Sequence, residues 1–180
     1  MTGTFNTGET RESLRKEYNP DGSVLRQAQL RLLDMLDYLK EAAAEAGVTW
    51  RLDGGNVLGA LRHGGFIPWD DDVDIVVDYK NYGRFCTYLK RHPHPQYVLQ
   101  DNSTDPGYLK PWASLRDTKS EHISTEKENS RDRKALESMK YRGLHIDIFP
   151  YEDRILPRLQ RLAGKLACVV NFDLQPGHPR

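Results

Sequence analysis

Cysteine is scarce in this sequence, and long apolar runs are missing. Two cysteines occur among 180 residues, Cys86 and Cys168, and they lack the spacing of a disulfide framework. This excludes a disulfide-stapled scaffold and favours a reducing compartment. No apolar run reaches the roughly 18 residues that a membrane-spanning helix needs. Residues 1–16 are polar, without the apolar centre of a signal peptide. These absences predict a cytoplasmic protein.

The formal net charge is zero, because 26 Lys and Arg residues balance 26 Asp and Glu residues. A protein that binds nucleic acid through its bulk charge would be basic, so no nucleic-acid partner is expected. The stretch over residues 154–172 alternates basic residues with leucines. It predicts a solvent-facing amphipathic helix packed on the domain, with peripheral contact at the inner face of a membrane as the alternative.

The length of the chain suits one compact domain. We expect a flexible N-terminal arm over residues 1–22 and a single domain over residues 23–180. Apolar periodicity predicts helices over 24–46, 56–63, 79–91 and 156–171, and strands over 48–52, 72–76, 96–100, 108–116 and 144–149. The polar segment 117–140 is expected to form a long loop or a loosely held helix. These elements predict an α+β fold in which helices flank a small mixed sheet.

Aspartate is concentrated in one short segment, residues 70–74, which reads DDDVD. If the segment is extended, Asp70, Asp72 and Asp74 share one face of a strand while the intervening apolar residues enter the core. Carboxylates two positions apart then lie roughly 6–7 Å from each other and repel by about 2–3 kcal/mol per pair at an effective dielectric constant near 20. An apolar strand that tolerates this repulsion is typical of a cation site, and oxygen ligands favour Mg²⁺ or Mn²⁺. A solvated acidic edge is the alternative.

Two further segments carry polar residues in strand-like or turn-like settings. Gly54, Gly55 and Asn56 follow a predicted strand and open a short helix. Glycines there let backbone N–H groups approach a phosphate, although a purely structural turn has the same sequence. Asp147 lies in the apolar stretch LHIDIF. It is either a structural carboxylate or a third metal ligand.

A G-G turn, an Asp-x-Asp strand and a carboxylate on a later strand together resemble the nucleotidyltransferase fold. A narrower resemblance is carried by residues 52–76 (LDGGNVLGALRHGGFIPWDDDVDIV) and by residues 145–150 (HIDIFP). Both segments closely resemble the LicD/fukutin family, and the similarity extends over about residues 24–153. The resemblance implies a nucleotidyltransferase-like domain that is expected to be short, relative to the family, after its D-I-F-P segment.

The same resemblance implies a metal-dependent phosphotransferase. Members of the family move a phospho-alcohol from a CDP-activated donor to a sugar hydroxyl of a cell-surface glycan, such as lipopolysaccharide or teichoic acid, or its precursor. Phosphocholine from CDP-choline is the usual bacterial cargo, and ribitol phosphate is the cargo of animal relatives. Two alternatives stay open: a nucleotidyltransferase that releases pyrophosphate, and a catalytically silent module that binds a nucleotide or a glycan.

Residue by residue, the resemblance assigns Mg²⁺ or Mn²⁺ to Asp72, Asp74 and Asp147. Asp70 matches the aspartate before them, and either Asp70 or Asp147 would accept the proton of the sugar hydroxyl. The catalytic set is therefore expected to be Asp70, Asp72, Asp74 and Asp147.

Substrate contacts are expected from the glycine turn and from two arginines. Gly54, Gly55 and Asn56 would contact the donor phosphates, although Asn56 stands where the family has Thr or Ser. Arg62 and Arg116 would either bind phosphate through charge-assisted hydrogen bonds or form structural salt bridges. Ser114 stands where relatives often carry lysine, which removes an expected phosphate-binding group.

Overall fold

The computed structural model of the protein describes residues 9–121, 134 and 136–152. Over these residues the fold is α+β, as the sequence predicts. Its elements in chain order are α1 (Arg11–Tyr18), α2 (Val24–Ala46), β1 (Trp50–Leu52), α3 (Gly54–His63), β2 (Val73–Asp78), α4 (Tyr79–Arg91), β3 (Tyr97–Gln100), β4 (Ala113–Asp117) and β5 (His145–Tyr151). The predicted helix over 156–171, the amphipathic stretch over 154–172 and most of the polar segment 117–140 lie outside the described residues.

The five strands form one mixed sheet in the order β1-β2-β5-β4-β3. Strands β2 and β5 run parallel, and every other neighbouring pair runs antiparallel. The last described strand, β5, therefore occupies the middle of the sheet, beside the aspartate strand. This order places the two strands predicted to carry functional carboxylates next to each other.

Helices α2 and α4 cover one face of the sheet and build the core with it. Helix α2 begins where Ser23 accepts a hydrogen bond from the Arg26 amide, and it ends at Gly47, whose φ of 63° is left-handed. Both ends agree with the sequence prediction. Leu32, Met35 and Leu39 of α2 are completely buried, because their spacing sets them on the face that meets the sheet.

The N-terminal segment differs from the sequence prediction. Within residues 1–22, expected to form a flexible arm, residues Arg11–Tyr18 form helix α1. Thr10 and Ser13 exchange side-chain and backbone hydrogen bonds in a capping box, and Leu14 is buried. One apolar residue in a polar stretch gives no helical periodicity, so the sequence pattern missed this helix. Residues 1–8 lie outside the described residues.

Strand β5 is also longer than predicted, since it continues through Pro150 to Tyr151. The pairing with β4 ends at Ile148, whereas the pairing with β2 continues to Tyr151. A proline, which has no N–H to donate, is tolerated where one neighbouring strand has already ended. Among the described helices, none is long and apolar enough to cross a membrane.

Candidate active site

A row of polar residues crosses the face of the sheet opposite α2 and α4. The strand register aligns Asp74 with Asp147, Asp147 with Ser114, and Ser114 with Gln100. Residues aligned across neighbouring strands point to the same face, so these side chains adjoin one another. At the β1 side, the Asp53 amide donates to the Asp74 carbonyl oxygen at 3.0 Å. The predicted convergence of Asp147 with the aspartate segment is thus present.

Asp147 already has two hydrogen-bond donors on its carboxylate. Lys110 Nζ donates to Oδ2 at 2.9 Å, and the Ser114 hydroxyl donates to Oδ1. His145 Nε2 lies 3.7 Å from Oδ1. Burial acts to raise the pKa of Asp147, but His145, Ser114 and Lys110 together outweigh it and hold that pKa below its ordinary value. Asp147 is therefore an ionised, paired carboxylate.

Asp74 has the opposite balance. Partial burial and the negative charges of Asp72, Asp147 and Asp53 raise its pKa to about 6, and the Lys110 ammonium opposes them only in part. The pKa of Asp72 is raised by loss of solvation and by Asp71 and Asp147. Repulsion between carboxylates at one end of the sheet is the electrostatic condition that a bound cation would relieve.

The start of α3 faces these carboxylates. Gly54 has a φ of 53°, which favours glycine, and a Cβ atom built there would lie 3.7 Å from Asp74 Oδ2. A Cβ atom at Gly55 would lie 3.2 Å from Asp70 Oδ2. Strand β2 begins only at Val73, so Asp70 reaches the site from the preceding turn rather than from an extended strand. Two glycines at a helix N-terminus thus approach the carboxylates closely.

Asn56 holds the aspartate segment in place. Its Oδ1 accepts a hydrogen bond from the Asp74 amide at 2.6 Å, and its Nδ2 donates to the Asp72 carbonyl oxygen at 3.0 Å. The residue is buried, at 7% exposure. Sequence reasoning expected Asn56 to contact a donor phosphate, but the structure engages both ends of its amide with the backbone of the Asp-x-Asp motif. Asn56 is therefore a positioning residue.

Arg116 lies near Asp147, but its hydrogen bonds go to neutral groups. Arg116 is 2% exposed, and its guanidinium donates to Gln100 Oε1 and to the Gly143 carbonyl oxygen, each at 2.8 Å. This geometry supports the structural alternative for Arg116, although its partners are neutral. Arg62 lies in the last turn of α3, roughly 12 Å along the helix axis from Gly54. This separation argues against a phosphate contact shared with the glycine turn.

Lys110 is the functional candidate that sequence reasoning missed. It precedes β4 in an irregular segment, for which the sequence predicts a strand over 108–116. Its ammonium contacts Asp147 from a position 37 residues away in the chain and lies 3.5 Å from His145 Nε2. No local pattern identifies such a partner, because only the placement of β5 beside β4 brings the two residues together.

The donor set of the site fits a hard divalent cation. Asp72, Asp74 and Asp147 supply carboxylate oxygens of the kind that Mg²⁺ and Mn²⁺ prefer. Within the described ranges, no three His, Cys, Asp or Glu side chains are already arranged as a ligand cluster. Lys110 Nζ donates to one oxygen of Asp147, so a cation bound by that oxygen would share it with the ammonium.

Replacing Asn56 with alanine should destabilise the protein. The change removes a buried amide and leaves the Asp74 N–H and the Asp72 carbonyl group without their partner, at a cost of about 2 kcal/mol in the free energy of unfolding. Urea denaturation followed by circular dichroism measures this difference. Asn102→Ala, at an exposed turn position, is the matched control and should change the free energy little. Equal stability of both variants would contradict the clamping role of Asn56.

The pKa of Asp74 predicts how stability depends on pH. Because the folded-state pKa of about 6 lies above the ordinary aspartate value of 3.8, the folded protein binds the Asp74 proton more tightly than the unfolded chain does. Ionised Asp74 therefore destabilises the metal-free fold above about pH 6, and this penalty disappears as the pH falls towards 4. Urea titrations of the parent and of Asp74→Asn in EDTA should show a stability difference at pH 7.5 that shrinks by pH 4.5. A difference that is constant with pH would contradict the repulsion.

The chain is similar to known proteins over part of its length. The profile of the LicD/FKTN/FKRP nucleotidyltransferase domain matches residues 47–158, more than half of the chain. Lipopolysaccharide cholinephosphotransferase LicD of Haemophilus influenzae is 38% identical over 76 residues, which cover 42% of this chain and 29% of that protein. Ribitol 5-phosphate transferase FKRP of Mus musculus and that of Homo sapiens are each 43% identical over 53 residues, which cover 29% of this chain and 10% of either protein.

The aligned regions thus span less than a third of the length of these curated relatives. The family match itself includes the glycine turn, the aspartate segment and Asp147. The chain belongs to the LicD/FKTN/FKRP nucleotidyltransferase-domain family.

Proposed function

We propose that this protein transfers a phospho-alcohol from a CDP-activated donor to a sugar hydroxyl of a glycan, with Mg²⁺ or Mn²⁺ as cofactor. The observation that carries the proposal is the alignment of Asp74 with Asp147 on adjacent strands, with Asp72 close enough to raise the pKa of Asp74. The names of the relatives support the reaction class, since one is a lipopolysaccharide cholinephosphotransferase and another a ribitol 5-phosphate transferase.

Asp72, Asp74 and Asp147 would hold the metal, which supplies positive charge against the donor diphosphate and the leaving CMP. Gly54 and Gly55 would present backbone N–H groups and the positive end of the α3 dipole to a donor phosphate. Asn56 keeps Asp72 and Asp74 in register with this turn through its two backbone hydrogen bonds. The chain thereby orients the donor between a helix start and a carboxylate pair.

Asp70 is our candidate for the proton acceptor from the attacking sugar hydroxyl. Both oxygens of Asp147 already accept hydrogen bonds, from Ser114 and Lys110. Asp70 lies against Gly55 at the same end of the sheet, which supports a role for Asp70 next to the proposed donor site. A general base must reach the hydroxyl directly or through one water molecule.

Product analysis tests this function. The purified protein is incubated with MgCl₂, CDP-choline and lipopolysaccharide, and with CDP-ribitol in a parallel arm; release of CMP with incorporation of the phospho-alcohol is the expected result. Pyrophosphate from CTP would favour the nucleotidyltransferase reaction instead. A melting-temperature shift with CDP-choline and Mg²⁺ but no CMP release would favour a binding module. Asp37→Asn, an exposed change on α2, is the control for loss of activity in the aspartate variants.

A further inference from the structure

A cavity of about 560 Å³ lies between α1, α2 and α3, apart from the carboxylate row. Its volume falls in the range of small-molecule sites. Apolar side chains form much of its wall: Leu33, Leu36, Leu52, Phe66, Pro68 and Val73. A cavity of this size and lining can enclose the hydrocarbon part of a ligand.

The same cavity is basic at its α1 and α2 side. Arg11, Arg15 and Arg26 line it, together with one carboxylate, Glu12. Arg15 pairs with Asp21, which is exposed. Arg11 and Arg26 therefore remain as the positive charges most able to bind an anion inside the cavity.

Hydrogen bonding supports this assignment. Among the described residues, the Nε atoms of Arg11 and Arg26 are buried and have no hydrogen-bond partner. A buried donor without a partner is unfavourable and calls for a ligand or water. The Nε–H and a neighbouring N–H of a guanidinium group form an edge that fits two oxygens of a phosphate.

We infer that this cavity binds a small phosphate monoester of an apolar alcohol, with the phosphate on Arg11 and Arg26 and the hydrocarbon part against the apolar wall. A phosphate monoester carries about −1.5 to −2 charges at pH 7, which matches two guanidinium groups. Inorganic phosphate alone would leave the apolar wall without contact, and the volume is too small for both acyl chains of a phospholipid.

Two side chains that line the cavity also form hydrogen bonds to the backbone of the aspartate segment. Gln29 lines the cavity and donates to the Asp70 carbonyl oxygen at 2.8 Å, and Asn56 lines it from α3. A ligand in the cavity would contact the reverse side of the residues that hold the aspartate segment. It would nevertheless bind without the metal and without Asp74.

Isothermal titration calorimetry of the full chain in EDTA tests the inference, with hexyl phosphate, inorganic phosphate and hexanol as probes. Hexyl phosphate should bind saturably, at least tenfold more tightly than either other probe. Arg26→Gln and Arg11→Gln should each weaken hexyl phosphate binding about tenfold. Arg26→Lys keeps the charge but loses the planar edge, so it should weaken hexyl phosphate binding less than Arg26→Gln does. It replaces Arg26→Gln in the test if that variant fails to fold.

Two control variants separate this cavity from the acidic site. Arg91→Gln, an exposed change at the end of α4, and Asp74→Asn should bind hexyl phosphate like the parent. Loss of binding in Asp74→Asn with retention in both Arg11→Gln and Arg26→Gln would assign the ester to the acidic site and overturn the inference. Absence of saturable binding by the parent, or equal affinity for inorganic phosphate, would overturn it as well. Because no metal or donor is present, none of these outcomes depends on the proposed transferase activity.

Discussion

Asp74→Asn should lower the rate of phospho-alcohol transfer by about a thousandfold while the fold is retained. Asparagine has nearly the same shape but lacks the charge that would hold a divalent ion against the donor, and losing one such electrostatic contact in an active site costs roughly 10²–10³ in rate. In the metal-free protein the same change removes a carboxylate that is repelled by Asp72, Asp147 and Asp53. We therefore expect the variant to be more stable by about 1 kcal/mol, after allowing for screening by solvent.

Thermal melts with and without MgCl₂ give a second readout. The parent should be stabilised by Mg²⁺ according to its affinity for the folded state, and Asp74→Asn should lose most of this shift. Asp37→Asn should behave like the parent in both assays. An Asp74→Asn protein with the parent's Mg²⁺ shift would remove Asp74 from the ligands, and one with the parent's turnover would refute the proposed chemistry.

Replacing Lys110 with methionine should lower the stability of the metal-free protein more than that of the metal-bound protein. In EDTA the change leaves Asp147, 8% exposed, with a negative charge that has lost its cationic partner. The expected loss is about 1–2 kcal/mol, less than for a fully buried pair because the Lys110 side chain is 31% exposed. With Mg²⁺ this loss of stability should largely disappear, because the bound ion supplies a positive charge beside Asp147. In the variant the ion also has no ammonium to compete with for that carboxylate.

The distinguishing signature is therefore a lower melting temperature in EDTA combined with a larger Mg²⁺-induced increase than in the parent. Lys90→Met is the matched control: Lys90 pairs with Asp101 at 2.6 Å and is similarly exposed, at 33%, but lies away from the carboxylate row. It should lower stability without changing the Mg²⁺ shift. A Lys110→Met protein whose Mg²⁺ shift equals the parent's would show that the ammonium and the ion do not share Asp147.

The main helices and the meeting of Asp74 with Asp147 could be predicted from the sequence. Helix α2 was predictable because Ser23 and Gly47 mark its ends and its apolar residues follow the helical period. The convergence of the two carboxylates followed from family resemblance rather than from local pattern, since parallel pairing of β2 with β5 depends on the whole sheet.

What could not be predicted depends on contacts between distant residues. Lys110 has no recognisable signal, because an isolated lysine near a strand is usually a surface residue. Asn56 was expected at a phosphate, yet its amide bonds the backbone of Asp72 and Asp74. In each case the side-chain type was compatible with either role, and the relative position of two elements decided between them.

The central position of β5 has a consequence for biosynthesis. The register that aligns Asp74 with Asp147 joins residues far apart in the chain, so a ribosome must deliver the whole intervening stretch before the two can meet. Pairing of this long range is slow, because loop-closure entropy is lost before the contacts that compensate for it can form. A nascent polypeptide that ends before β5 therefore has the glycine turn and the Asp-x-Asp motif but lacks their opposing carboxylate, and under the proposed function it should show no turnover until β5 inserts between β2 and β4.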